Sequence, residues 1–309
     1  MIAPTAEDYR ALHQTAAGRG VGRDVLRISG PDAVTYLQGQ CTQDVAALGS
    51  GRSADALLLS PQGKLQGYVR VTRISDDVLV LDTEASYGDA VMERLQQFKL
   101  RVKADLEVLD WGCVSIRGPD SLSVVPDAPD TGAGVELVAA FDWGPVTGVD
   151  LLGPAPQLPA GVVACSPEAW EALRLETGIP ALGSELDERT IAAEAHLLGR
   201  CVSFTKGCYT GQELVARLDS RGNRVARHLH GLVAGPDAGH VTVPVGTEVV
   251  DPSSAKVVGS VTSWGWSPVL GAVGLSYLHR SVSPPAALDL RPPDGPVLTA
   301  QARPLPLVG

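Results

Sequence analysis

Residues 206–213 read Lys-Gly-Cys-Tyr-Thr-Gly-Gln-Glu. A thiol stands between two glycines, behind a lysine and ahead of a glutamate. Thr210 and Glu213 have the T-x-x-E spacing of a capping box, and Leu214 and Leu218 follow at i, i+4. The spacing predicts a helix from Thr210, with Cys208 two residues before its cap. A helix N-terminus favours negative charge and Lys206 adds a cation, and both lower the pKa of a nearby thiol. Gly207 and Gly211 permit a sharp turn and leave room for a ligand. The stretch reads as a reactive-thiol loop, with Cys208 assisted by Lys206. A plain helix-start loop around a buried, inert cysteine is equally open from these residues.

A second dense stretch is residues 217–230, RLDSRGNRVARHLH, with Arg217, Arg221, Arg224, Arg227, His228 and His230 against the single Asp219. The chain as a whole carries a net charge of −10. A protein of that charge is no general nucleic-acid binder, so this basic island is where an anion would be met, a ligand carboxylate or RNA phosphate. A solvated linker is the other reading.

Other chemistries find no support. The five cysteines, Cys41, Cys113, Cys165, Cys201 and Cys208, are odd in number and form no C-x-x-C, and H-E-x-x-H is absent. A disulfide framework and a structural metal site are therefore not expected, and a reducing cytoplasm suits the composition. No apolar run approaches the roughly 18 residues that cross a bilayer. The N-terminal residues, with Glu7 and Asp8, do not read as a secretory leader.

The elements that must hold these residues are also visible. Residues 24–32, DVLRISGPD, and 113–120, CVSIRGPD, are two β-branched runs ending in Gly-Pro-Asp, each followed by a helix-like stretch, AVTYLQ from Ala33 and SLSVV from Ser121. Strand-like runs lie at 56–60, 67–74, 77–83, 106–110, 135–141, 145–152 and 162–165. A helix is expected over 86–100, capped by Ser86, with Tyr87, Val91, Leu95 and Phe98 on one face. Another is expected over 166–178, with Ser166 as N-cap, Pro167 at its first turn and Gly178 as its stop. After about residue 225 only short β-rich runs remain. The reading is an α+β protein of three units: related α+β domains over 1–111 and 112–224, then an antiparallel β-barrel over 225–309.

Taken whole, K-G-C-Y-x-G-Q-E resembles the hallmark string of the YgfZ family of folate-binding proteins, which support iron–sulfur enzymes. These are relatives of the aminomethyltransferase of the glycine-cleavage system. YLQGQCTQDV (36–45), LLLSPQGKLQGYV (57–69), RLETGIPALGSELDERTIAAE (174–194), GSVTSW (259–264) and GLSYLHR (274–280) are similar to other family segments, although Ala192 stands where relatives often carry Pro. The resemblance implies a ring of three domains around a central folate site, with tetrahydrofolate as the cofactor. It implies iron–sulfur enzymes or assembly proteins as partners, transient tRNA contact through 217–230 and no membrane. It also implies a ligand-binding role for Tyr209 and Gln212 of the string and for Arg217 and Arg221 beyond it.

Asp150, in GVDL (148–151), falls where relatives carry a pterin-binding carboxylate, and Glu176 and Glu185 are further candidates. Gly67 and Tyr68 fall where the aminomethyltransferases carry an Asp-Asp pair. The acid of aminomethyl transfer is therefore missing, which favours an accessory protein over the alternative, a folate-dependent one-carbon transferase. A pure interaction module is the third possibility. One cysteine does not hold an iron–sulfur cluster, which takes about four ligands, so any cluster at Cys208 is transient or shared.

Overall fold

The computed structural model describes residues 6–125 and 134–308. Helix α1 (Ala6–Gln14) leads into strands β1 (Ala17–Val21) and β2 (Arg23–Ser29). Then come α2 (Ala33–Gln40), β3 (Ser53–Leu59), β4 (Leu65–Arg73), β5 (Val78–Glu84) and α3 (Gly88–Gln97). Strands β6 (Asp105–Leu109), β7 (Gly112–Arg117), β8 (Leu137–Trp143), β9 (Val146–Gly153) and β10 (Val163–Ala164) follow. Three helices, α4 (Pro167–Thr177), α5 (Leu198–Cys201) and α6 (Gln212–Ser220), precede the last strands. These are β11 (Arg227–Gly235), β12 (Glu248–Asp251), β13 (Lys256–Ser267), β14 (Gly271–His279), β15 (Ala286–Arg291) and β16 (Leu298–Arg303).

The strands form two five-stranded sheets, ordered β3-β4-β5-β2-β6 and β10-β1-β7-β9-β8, and one closed barrel, β11-β14-β13-β12-β15-β16. The Gly-Pro-Asp echo is structural. Gly30 after β2 and Gly118 after β7 hold nearly the same left-handed φ, 123° and 122°, and each would drive a Cβ into a neighbouring carbonyl, of Lys103 and Thr15 respectively. The echo ends there. Ala33 opens α2, but 119–125 make only turns, so the helix expected from Ser121 does not form.

Strand β3 shows how the units join. Period-two alternation sends Leu58 toward α2 and α3, where it packs with Leu37, Val91 and Leu95. Its neighbours Leu57 and Leu59 face the opposite way, into a core shared with Leu175 of α4 and with Leu229, Val273 and Tyr277 of the barrel. Both faces of the strand are covered, which is why its sequence is a continuous apolar run rather than an alternating one. Each such buried leucine contributes about 1.5–3 kcal/mol. A third core, from Val25 and Val80 on one sheet and Cys113, Leu137 and Leu152 on the other, packs the two sheets together.

Helix α4 forms as its caps predict. Ser166 Oγ accepts from Ala169 N at 3.2 Å and Gly178 closes the helix at φ 75°. Helix α3 differs at its start. Ser86 sits at φ 75° and caps nothing, and the first helical N–H, of Gly88, donates instead to Asp24 Oδ2 of β2 at 2.7 Å. Two elements without a strong sequence signal, α1 and β1, belong with the second sheet: β1 pairs antiparallel with β7 and parallel with β10, and α1 lies against α4. The expected absence of a leader concerns residues 1–14, of which 1–5 lie outside the described residues. Among the described residues no helix is long and apolar enough to cross a membrane.

Candidate functional site

The 206–213 loop is pinned to the first sheet's unit by its lysine and its second glycine. Lys206 is buried, and its Nζ donates to the carbonyls of Gln38 (2.6 Å), Cys41 (2.8 Å) and Gln43 (2.8 Å) at the end of α2. All three ammonium protons are thus used on backbone. Burial lowers the Lys206 pKa, with Cys41 and Asp44 opposing. Those three bonds dock the loop against the end of α2. Tyr209 is also buried and lies under the ammonium, 5.2 Å from ring centroid to Nζ.

Gly211 adopts φ 84°, and a Cβ there would sit 2.5 Å from the Ser60 carbonyl oxygen and 2.7 Å from Leu59 Cβ. The glycine is required by the close approach of the β3–β4 turn. Helix α6 therefore begins at Gln212 with Gly211 as N-cap and no side-chain cap bond, so the predicted Thr210–Glu213 capping box is not made. Thr210 N instead donates to Gly39 O at 3.2 Å. The consequence for the sulfur is plain: Cys208 is the exposed cysteine, whereas Cys41, Cys113, Cys165 and Cys201 are buried free thiols. Burial pushes Cys41 up to about 11 and Cys113 and Cys165 up to about 12, and raises Cys201 as well.

Asp150 lies elsewhere, on β9, in the wall of a cavity of about 280 Å³ between the two sheets. Five buried or half-buried charges run through that wall in alternation. Arg23 Nε donates to Asp82 Oδ1 (2.8 Å), and Arg70 Nε donates to Asp82 Oδ2 (2.9 Å). Arg70 Nη1 then reaches Asp150 Oδ2 (2.5 Å), and Arg117 Nη1 takes Asp150 Oδ1 (2.7 Å). Burial would raise the Asp150 pKa, but Arg117 and Arg70 outweigh it and hold the carboxyl well below the usual carboxylate range. Arg117 also lies over Phe141, 3.6 Å from its centroid, and 5.2 Å from that of Trp170. Tyr68, Trp143, Asp55, Ser115, Arg174 and Glu84 also line it. Glu84 accepts from Leu182 N at 3.2 Å, and burial raises its pKa.

The remaining predicted residues fall outside this cavity. Glu185 is buried under it, accepting from Arg174 Nη1 (2.9 Å), Ser263 Oγ (2.7 Å) and Ala181 N (3.0 Å), and so fixes the cavity-lining Arg174 from behind. Glu176 is buried between Tyr9, whose hydroxyl donates to it at 2.8 Å, and His13, 3.4 Å away. Gln212 is half-buried at the start of α6, and Arg217 and Arg221 stand exposed along its far end. None of residues 206–221 lines the cavity, so the thiol loop and the Asp150 cavity are separate places. The arginines of the cluster escaped the sequence reading, although Arg70 interrupts and Arg117 ends a largely buried strand, which is the signal of a paired charge. Among the described residues no three His, Cys, Asp or Glu side chains are arranged to hold a metal ion.

Residues 22–144 match the GCVT N-terminal domain family. A tRNA-modifying protein YgfZ from an Enterobacter species is 32% identical over 213 residues, covering 63% of this chain and 65% of that protein. An aminomethyltransferase from Streptomyces avermitilis is 28% identical over 298 residues, 84% of this chain and 77% of its own. An uncharacterized protein from Haemophilus influenzae is 26% identical over 200 residues, 64% and 66%. The match spans 65–66% of the length of the Enterobacter and Haemophilus relatives. In three dimensions the chain superposes on the glycine cleavage system aminomethyltransferase T from Bartonella henselae with a TM-score of 0.79, covering 98% of this chain and 89% of that one at 19% identity.

Proposed function

We propose that this chain, a relative of the YgfZ proteins built on the aminomethyltransferase fold, is a folate-binding accessory protein. In this reading it works in the cytoplasm and supports the assembly or repair of iron–sulfur enzymes, tRNA-modifying ones among them, with Cys208 as its working thiol. The observation that carries the reading is the cavity between the sheets. Tyr68, Phe141, Trp143 and Trp170 offer flat apolar walls to a ring system. Asp150 is held anionic, with one lone-pair site on each oxygen taken by an arginine and the Ser115 hydroxyl beside it as a further partner, out of about four sites that a carboxylate offers. It can still accept the N–H groups of a 2-amino-4-oxo pterin, while Arg117 and Arg70 can donate to the ring carbonyl. The residues present fit tetrahydrofolate.

Cys208 faces solvent rather than this cavity, which suits transfer to a partner protein more than attack on a one-carbon unit of the bound folate. Tyr68 lines the cavity where the aminomethyltransferases carry an acid, and a phenol whose pKa burial raises well above 10 is a poor proton acceptor. The test is rescue of a deletion strain, read as iron–sulfur enzyme activity. Wild type restores it and Cys208→Ala does not; full rescue by Cys208→Ala would leave an interaction module with an incidental thiol. The transferase alternative draws on Glu84, a half-buried carboxylate whose pKa is raised by desolvation, in the same cavity. Sustained aminomethyl transfer with tetrahydrofolate and a lipoyl carrier protein would establish it in place of the accessory reading; none is expected.

A further inference from the structure

A second cavity, of about 260 Å³, opens beyond the first, lined by Trp143, Thr177, His196, Arg200, His230 and the Pro304–Pro306 segment among others. The two cavities share a wall. Trp143 lines both, Arg200 of the second lies 4.2 Å over the Trp143 ring, and Arg200 Nη1 is bonded at 2.9 Å to Asp55, which lines the first. Their chemistry differs. The first carries Asp55, Glu84 and Asp150; the second is lined by an arginine and two histidines and by no carboxylate. In a chain of net charge −10 that is an unusual place to find only basic groups.

His196 is held there at some conformational cost. His196 occupies a left-handed φ of 58°, and its Nε2 meets the Leu229 carbonyl at 2.9 Å. His228 and His230 follow on β11, and the His196 and His230 rings lie 6.2 Å apart, centroid to centroid. His230 Nδ1 is buried and has no hydrogen-bond partner. An imidazole nitrogen left so is satisfied when an anion draws a proton onto it, forming a charge-assisted bond. Arginine and histidine together, opening beside an aromatic slot, describe a site for carboxylates carried on a ligand whose ring lies next door.

We propose that the His196–Arg200–His230 cavity binds the acidic tail of the ligand whose ring occupies the Asp150 cavity. This rests on the folate reading: the tail is then the chain of linked glutamates, and the cavity confers preference for the longer chains. Arg217 on α6 and Arg221 just past its end are exposed and line neither cavity.

Calorimetric titration with pteroic acid, which has no glutamate, and with the folate triglutamate tests this on the intact chain. The wild-type protein binds the triglutamate at least tenfold more tightly than pteroic acid. In the His196→Asn, His230→Asn double variant the ratio falls to within about twofold while affinity for pteroic acid is unchanged; asparagine tolerates the left-handed φ at 196. Arg10→Gln, which changes a third cavity, leaves the ratio as in wild type. Equal wild-type affinity for the two ligands, or a ratio retained in the double variant, overturns the tail site and leaves the folate reading standing. Binding of neither ligand overturns both. Imidazole proton resonances give an answer independent of any variant's folding: those of His196 and His230 move with the triglutamate and not with pteroic acid, and movement with neither ligand, or equally with both, counts against the proposal.

Discussion

Arg70 Nη1 donates to Asp150 Oδ2 at 2.5 Å, and with that bond a strand of the first sheet grips a strand of the second across the cavity between them. The two residues are 80 positions apart in the chain, and both are nearly inaccessible to solvent. Arg117 holds the other oxygen of the same carboxylate. The cavity wall and the contact between the two halves are therefore one structure.

Asp150→Asn should lower stability by about 3–5 kcal/mol, because it leaves Arg70 and Arg117 buried without their shared counter-charge. Urea unfolding monitored by tryptophan fluorescence gives the value. The effect has a pH signature. The folded-state pKa of Asp150 lies below its unfolded value of about 3.9, so its contribution is full above that value and is lost as pH falls toward the folded pKa. Wild type should lose stability more steeply than Asp150→Asn below about pH 4.

Lys206→Met should loosen the loop. Three carbonyls at the end of α2 lose a charged donor, and bonds of that kind contribute about 1.5–3 kcal/mol each when removed singly. Amide hydrogen exchange should rise over residues 38–43 and 206–211 together. Lys206→Arg should not restore protection, since a planar fork does not reproduce three donors radiating from one nitrogen.

Two glycines of the same loop should behave differently. Gly211→Ala meets the Ser60 carbonyl and a left-handed φ, and should destabilise by about 1–3 kcal/mol. A Cβ on Gly207 meets nothing within 4 Å, so Gly207→Ala should change the denaturation midpoint little. Equal effects would show that the loop is not docked as described.

Cys208 should react first and alone. Its four companions are buried with raised pKa values, so at pH 7 a thiol reagent should modify one sulfur quickly and the rest only as the chain unfolds. Peptide mapping that finds Cys41 or Cys165 labelled before Cys208 would contradict the structure of the loop.

The reasons for what was legible in the sequence are local. Helix α4 carries its own Ser, Pro and Gly signals within itself, and the barrel strands are short β-rich runs between turns, so both could be read without knowing their neighbours. Where the deciding partner is distant, local reading fails. Asp24, 64 positions away, caps α3 in place of Ser86. The capping box at Thr210 yields to a glycine that must fit under Ser60. Strand β1, with two glycines in five residues, has little strand propensity and exists because β7 and β10 flank it. The matched segment singles out Asp150, but the arginines that bind its carboxylate come from β4 and β7, which no spacing joins.

The central claim is that a folate ring lies against Trp170 and Phe141 over the Arg117–Asp150 pair. Calorimetric titration of tetrahydrofolate into wild type and Trp170→Leu tests it most directly. Wild type should bind one equivalent. The variant should lose about 1–3 kcal/mol, roughly fivefold to more than a hundredfold in affinity, through loss of stacking on the aromatic wall. No saturable binding by the wild type, or an affinity unchanged in Trp170→Leu, would contradict the account.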